Sequence, residues 1–241
     1  VKDISDNSLV AVDCNDNARG GIIYNFLYGG SKIKNTVVSL GDINLENVSN
    51  NYLESKNTSA SFDSSKALNG RPVSGAIIAN SIQSCQGSAI IKSINGKYVG
   101  NSVVSNSKIM GASGGVISNS VYGLGNAFVG IGYTLDENNN IISTENAILG
   151  TYENNYAQSE ELTANGGAIA NYVESSEGND IARIGNIKAN FNGNYVVSNK
   201  NNAYGGAISN FYEKSHSYYT NAIIDSINGK FENNYAKTRS T

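Results

Sequence analysis

Acid–base or calcium chemistry on a polysaccharide needs clustered carboxylates, usually with an Arg or Lys beside them. The chain holds nine aspartates, at Asp3, Asp6, Asp13, Asp16, Asp42, Asp63, Asp136, Asp180 and Asp225, and they are scattered. The tightest grouping, Asp13, Asp16 and Arg19, reads as a solvated corner, because turns favour Asp. Asp136-Glu137 and Glu160-Glu161 are neighbours in predicted loops. Adjacent strand residues point to opposite faces, so neither pair reads as a dyad. No carboxylate recurs at one repeat position to build an acidic ladder. The single histidine, His216 in EKSHSYY, has no second His for a conventional metal site, and Ser215 and Ser217 beside it reflect the abundance of serine. GGSK at 29–32 lacks the spacing of a phosphate loop, and no RTX-type calcium repeat is present. The residue types therefore predict no catalytic, cofactor-binding or metal-ligating site. Tyr212, Tyr218 and Tyr219 form an aromatic cluster that reads either as strand-face residues or as a platform for sugars and protein partners.

The composition fixes what kind of scaffold carries these residues. Among 241 residues there are 38 Asn, 31 Ser and 26 Gly, against 10 Leu, one Pro and no Trp. Helical bundles need far more Leu, Ala, Glu and Lys. With 17 Lys+Arg against 20 Asp+Glu and no basic stretch, phosphate neutralisation is weak, so no nucleic-acid partner is expected. No apolar run approaches the roughly 18 residues of a membrane span, so this segment is not expected to insert in a membrane. Hydrophobic residues make up 39% and are rich in Ile, Val and Tyr, enough to bury a core. An all-β chain with many turns remains.

Two motifs alternate along it. The first reads GGIIYN (20–25), GAIIAN (75–80), GGVISN (114–119), GGAIAN (166–171) and GGAISN (205–210), its final Asn residues 55, 39, 52 and 39 positions apart. The second is a bulky apolar residue followed three positions later by Asn: YVGN (98–101), YENN (152–155), FNGN (191–194) and FENN (231–234), with weaker copies ISDN (4–7) and VSNN (48–51). Such regular self-similarity signals stacked coils. A cycle of about 40 residues holding both motifs suggests two coils of about 20 residues each, hence about ten coils and a rod about 50 Å long. Like positions then lie above one another: apolar residues form interior columns, Asn passes amide hydrogen bonds up the stack, and Gly permits the bends. The longer cycles place insertions near 53–73 and 121–141, where loops carry recognition or nothing at all. Cys14 and Cys85, 71 positions apart, fall three to four such coils from each other, too far for a disulfide. A leucine-rich repeat fails because the Leu spacing around INLENVSNN does not recur, and a β-propeller is the second fold choice.

The alternating tetrapeptides Gly166–Ile169, Gly205–Ile208, Phe191–Asn194 and Phe231–Asn234 resemble the GGA[ILV]/FxxN repeats of chlamydial polymorphic membrane proteins and related autotransporter passenger domains. Gly20–Ile23, Gly114–Ile117, Tyr98–Asn101 and Tyr152–Asn155 match more loosely. The resemblance implies a right-handed parallel β-helix (a β-solenoid) displayed on a bacterial surface or secreted, acting as an adhesin for a host-cell receptor or glycan. Val1 falls inside a repeat motif, so residues 1–241 are read as a single solenoid segment of a longer surface protein. A polysaccharide-active β-helix enzyme and a purely structural spacer are the alternatives. Open strand edges at both ends predict some self-association.

Overall fold

The computed structural model describes residues 1–12, 19–29, 34–57, 73–108, 111–123, 125–175, 179–214 and 220–239. The described residues are strands and turns without a helix. They form four parallel sheets, which the chain visits in the same order on every circuit. Sheet 1 follows the glycine motif and contains Ile23–Tyr28, Ile78–Gln83, Ile117–Gly123, Ile169–Ser175 and Ile208–Lys214. The long strands of sheet 2 come next: Asp3–Ser5, Thr36–Ser49, Gly87–Val99, the broken pair Phe128–Ile131 and Ile148–Glu153, Ile181–Asn192, and Asn221–Asn228 with Phe231–Glu232. Past the second motif, sheet 3 takes Ser8–Val12, Tyr52–Asn57, Ser102–Ser107, Tyr156–Ser159, Tyr195–Ser198 and Tyr235–Thr238. Sheet 4 is a row of two-residue strands, Val73–Ser74, Ala112–Ser113, Ala164–Asn165 and Ala203–Tyr204.

The registers correct the coil count. Asn80 pairs with Asn119, Asn119 with Asn171 and Asn171 with Asn210, each within the glycine motif. Tyr98 pairs with Tyr152, Tyr152 with Phe191 and Phe191 with Phe231, each within the second motif. The two motifs are thus opposite sides of one circuit of about 40 residues, not two stacked coils. Six rungs in sheet 3 span about 24 Å at the usual strand spacing, half the expected length. The 71 positions between the cysteines therefore cover fewer than two circuits, and the separation argument against a disulfide loses its basis. Cys85 is a buried, unbridged thiol, its Sγ 3.7 Å from the Leu27 carbonyl oxygen; Cys14 lies outside the described residues.

Each motif residue has a physical reason. Gly20, Gly75, Gly114, Gly166 and Gly205 all have φ between +56° and +67°, the left-handed region glycine enters without cost. The second glycine is held by space instead, since a Cβ on Gly167 would collide with backbone atoms of Gly206 and Tyr195. At the other corner the residue before the motif Asn is left-handed: Asp6, Asn50, Gly100, Asn154, Gly193 and Asn233, with φ from 53° to 65°. Asp and Asn are the non-glycine residues that tolerate it best.

The asparagines form two interior ladders. Asn7, Asn51, Asn101, Asn155, Asn194 and Asn234 make the first. Each donates from Nδ2 and from its backbone N–H to Oδ1 of the next, at 2.8–3.1 Å in all five steps. Nδ2 also donates to the bulky motif residue one rung back, as from Asn155 to the Tyr98 carbonyl (3.0 Å) and from Asn194 to that of Tyr152 (2.8 Å). The second ladder runs Asn25, Asn80, Asn119, Asn171, Asn210, with Nδ2···Oδ1 distances of 2.8–2.9 Å. It ties sheet 1 to sheet 2, for instance through Asn171 to the Ala182 carbonyl at 3.0 Å. This row separates a main apolar cluster containing Ile78, Ile117 and Ile169 from a smaller one containing Ile82, Val121 and Val173.

Aromatic rings complete the main cluster. Tyr98, Tyr152, Phe191 and Phe231 stack face to face with centroids 4.8, 5.0 and 4.8 Å apart. The Tyr98 and Tyr152 hydroxyls are buried without a hydrogen-bond partner among the described residues.

Equilibrium urea denaturation checks two consequences. Asn155→Ala leaves the Asn101 N–H and the Tyr98 carbonyl short of partners inside the core, and should cost about 2–4 kcal/mol; Asn234→Ala, at the last rung, should cost no more than about 1. Phe191→Ala should cost about 3–5 kcal/mol, whereas Tyr152→Phe removes an unsatisfied hydroxyl and should be neutral or stabilising by about 1.

Candidate interaction surface

The largest interruption of the regular circuits is a hairpin in sheet 2. Ile91 and Ile94 are three positions apart, as are Ile184 and Ile187; the equivalent Ile131 and Ile148 are seventeen apart. The fourteen extra residues leave the sheet as two antiparallel strands, Tyr133–Leu135 and Ile141–Ser143. The expected insertion near 121–141 is therefore displaced. Val121–Gly123 continue sheet 1 and Phe128–Ile131 belong to sheet 2. The expected insertion near 53–73 is narrowed in the same way: Tyr52–Asn57 and Val73–Ser74 are strands in register with their neighbours, and Leu53 and Val73 are fully buried. Residues 58–72 lie outside the described residues.

The hairpin base is anchored and its tip is presented. Tyr133 is buried, packs edge-on against Phe128 at 5.1 Å, and donates its hydroxyl to Asp225 at 3.4 Å. Burial, with the Asp225 carboxylate second, pushes the Tyr133 phenol up to about 12. Asp225 also receives Arg183 through Nε at 2.8 Å and Nη2 at 2.7 Å. Thr144 Oγ1 donates to the Lys92 carbonyl at 3.2 Å, closing the other side. At the tip Asp136 accepts the backbone N–H groups of Asn138 (2.9 Å) and Asn140 (2.8 Å) and the Asn140 amide (3.0 Å). Those hydrogen bonds, led by the Asn140 side chain, hold its carboxyl below the usual range. Glu137, Asn138, Asn139 and Asn140 are exposed, and Ile142 is 45% exposed. The tip is thus a hydrogen-bonded polar turn with an apolar flank.

Polar pairs line the face from which the hairpin rises. Asp42 accepts from Lys92 at 2.8 Å and Ser93 at 2.7 Å, which lowers its pKa. Near the last rungs a shallow cleft of about 200 Å³ is lined by Thr151, Glu153, Asn190, Asn192, Lys230 and Glu232. Glu232 is paired with Lys230 at 2.7 Å.

Among the described residues, those singled out from sequence do not converge. Asp13, Asp16, Asp63, Ser215, His216, Ser217, Tyr218 and Tyr219 lie outside the described residues. Arg19 is buried, its Cζ 4.6 Å from the Tyr122 ring centre and its Nη1 3.4 Å from both Ser81 Oγ and Gln83 Oε1. Glu160 accepts from Asn199, and Glu161 pairs with Lys200 at 2.7 Å. Asp180 is fully buried and accepts the N–H groups of Ala127 (2.8 Å) and Gly125 (3.3 Å), a role no local pattern signals. Tyr212 occupies the inward column of Ile82, Val121 and Val173, at the open last rung. It is 37% exposed. Tyr156, Tyr195 and Tyr235 do face outward, stacked on one another at 4.8 and 5.2 Å. Among the described residues no three His, Cys, Asp or Glu gather as for a metal ion.

No protein-family model, curated protein or solved structure matches the chain.

Tyrosine burial sets an alkaline limit. Tyr133 and Tyr195 are pushed up to about 12, both chiefly by desolvation, and Tyr98 and Tyr152 are raised further by burial. Unfolded tyrosines ionise near 10, so between pH 10 and 12 the unfolded chain releases protons that the folded one keeps. The stability present below pH 10 should fall through that window. Thermal midpoints measured from pH 8 to 12, with phenolate absorbance followed in parallel, check it; a flat midpoint to pH 12 contradicts it.

Proposed function

We propose that this chain is a non-enzymatic segment of a right-handed parallel β-helix, displayed on a bacterial surface or secreted, which presents the hairpin-bearing face of sheet 2 to a host-cell receptor or glycan. The reading rests on the hairpin at Tyr133–Ser143. Fourteen residues interrupt an otherwise continuous strand, yet only Tyr133 and the base are used by the scaffold, while the tip is internally hydrogen-bonded and solvent-facing. Hydrogen-bonded turns on a fixed support are where recognition is most economically placed, because little ordering entropy is lost on binding. The repeat resemblance to autotransporter passengers supports the location and the adhesive role.

Polysaccharide hydrolysis is the second reading, and the cleft favours it. Glu153 and Glu232 stand two rungs apart on one row, about 10 Å at the usual strand spacing. That is near the upper end of carboxylate separations that suit an inverting mechanism.

Replacing 132–147 with the two-residue link of the neighbouring rung, Lys92-Ser93, separates the readings. Binding to cells or a glycan array should fall at least tenfold while the urea midpoint moves little. Unchanged binding removes the hairpin as the contact. Turnover of pectin, alginate or a host glycan that is lost in Glu153→Gln supports the hydrolytic reading instead.

A further inference from the structure

The hairpin that leaves sheet 2 is a sheet of only two strands, Tyr133–Leu135 and Ile141–Ser143, which pair with each other and with no other described strand. Such a ribbon is marginal by itself; three or more strands with an apolar face are the stable arrangement. The bonds at its two ends show which main-chain groups it leaves free. The Thr144 N–H donates to the Gly132 carbonyl at 2.8 Å, and the Asp136 N–H donates to the Asn140 carbonyl at 3.0 Å. Antiparallel bonds fall on alternate residues, so the directly opposed Thr134 and Ile142 supply the bonds in between. The N–H and C=O groups of Ile141 and Ser143 therefore point away from the hairpin. None of these groups has a partner among the described residues.

This outer edge is open and unguarded. Ser143 is exposed, Ile141 is half-buried, and Ile142 between them is 45% exposed. The other edge is held closer to the scaffold, with Tyr133 buried. Edges that avoid pairing carry Lys, Pro or a bulge. Residues 140–144 read Asn-Ile-Ile-Ser-Thr, with no charge and no proline, and the strand pairs in unbroken register.

The edge is complementary to itself. Its free groups stand two residues apart, so an antiparallel second copy centred on Ile142 matches all of them. Ile141 of each copy then exchanges both of its bonds with Ser143 of the other. Ile142 faces Ile142 in the intervening close pair, where side chains interact most strongly. Asn140 faces Thr144, and no like charges are opposed. An extended peptide from another protein would meet the same main-chain groups, but only a second copy is bound to bring an isoleucine to Ile142.

We infer that two copies of the chain pair antiparallel through Ile141, Ile142 and Ser143, joining their hairpins into one four-stranded sheet about a two-fold axis. The contact is isologous, so it closes at a dimer. It adds an interaction between copies to the receptor or glycan contact proposed above and does not depend on it.

Sedimentation velocity of the 241-residue chain over a hundredfold concentration range tests the inference. The expected result is a reversible monomer–dimer equilibrium. Ile142→Lys and Ile142→Glu should each weaken it about tenfold, by setting like charges opposite one another at the axis. An equimolar mixture of those two variants should recover it as a heterodimer, since only a two-fold contact brings residue 142 against itself. Ser143→Pro removes an outward N–H from each copy and no bond within the hairpin, and should also weaken dimerisation at least tenfold. Both positions are exposed, so an unchanged thermal midpoint serves as the folding control. A monomer at every concentration overturns the inference and leaves the edge to a peptide of another protein. Association that is indifferent to the single variants, or not recovered in the mixture, overturns it equally.

Discussion

The whole arrangement depends on an amide that both accepts and donates along one line. An asparagine in the first ladder takes two hydrogen bonds on Oδ1, from the side chain and backbone of the rung before, and gives two from Nδ2. No other side chain of that length supplies a double acceptor and a double donor from one planar group. Aspartate would lose the donors and leucine would lose both. Because each of these asparagines sits beside a left-handed corner residue, where the backbone leaves the ladder pattern, the amide replaces the hydrogen bonds that the corner would otherwise forfeit. Position, residue type and orientation are thereby fixed together, rung after rung.

Apolar packing builds on that frame. With the corner held, residues three positions before it fall in line, and Tyr98, Tyr152, Phe191 and Phe231 stack at close to the rung spacing. The same strictness explains the tolerance elsewhere. Extra residues between Ile131 and Ile148 leave the sheet as a hairpin, and both flanking strands return to register. The scaffold constrains the amide and aromatic rows and permits insertions between them, so a hairpin can be added without disturbing either ladder.

Much of this was legible in the residues because ladders demand like on like. The recurrence of Asn80, Asn119, Asn171 and Asn210 behind a glycine bend announces one row, and that of Phe191 and Phe231 another. The number of coils was not legible, since two motifs half a cycle apart look the same whether they stack or face each other across a circuit. The hairpin boundary was obscured because Phe128–Ile131 is a strand of only four residues containing a glycine. The packing of Arg19 on Tyr122 was beyond sequence reading, as their proximity exists only once rungs two apart are brought together. The side of the strand that Tyr212 takes was equally hidden, because only its register with Val173 places it in an inward column.

The spacing of 39 to 55 residues between ladder partners has a kinetic consequence. No bond between one ladder asparagine and the next can form until a loop of that size has closed, at a cost of about 3 kcal/mol in loop entropy beyond the fixed initiation term. The first pair of rungs is therefore the slow event, and its partners are non-local throughout. Once it exists, each later circuit meets a finished template and adds its hydrogen bonds and stacked rings together. Such a chain folds as a growing front. Its order of assembly is thereby set by the order of the rungs along the stack.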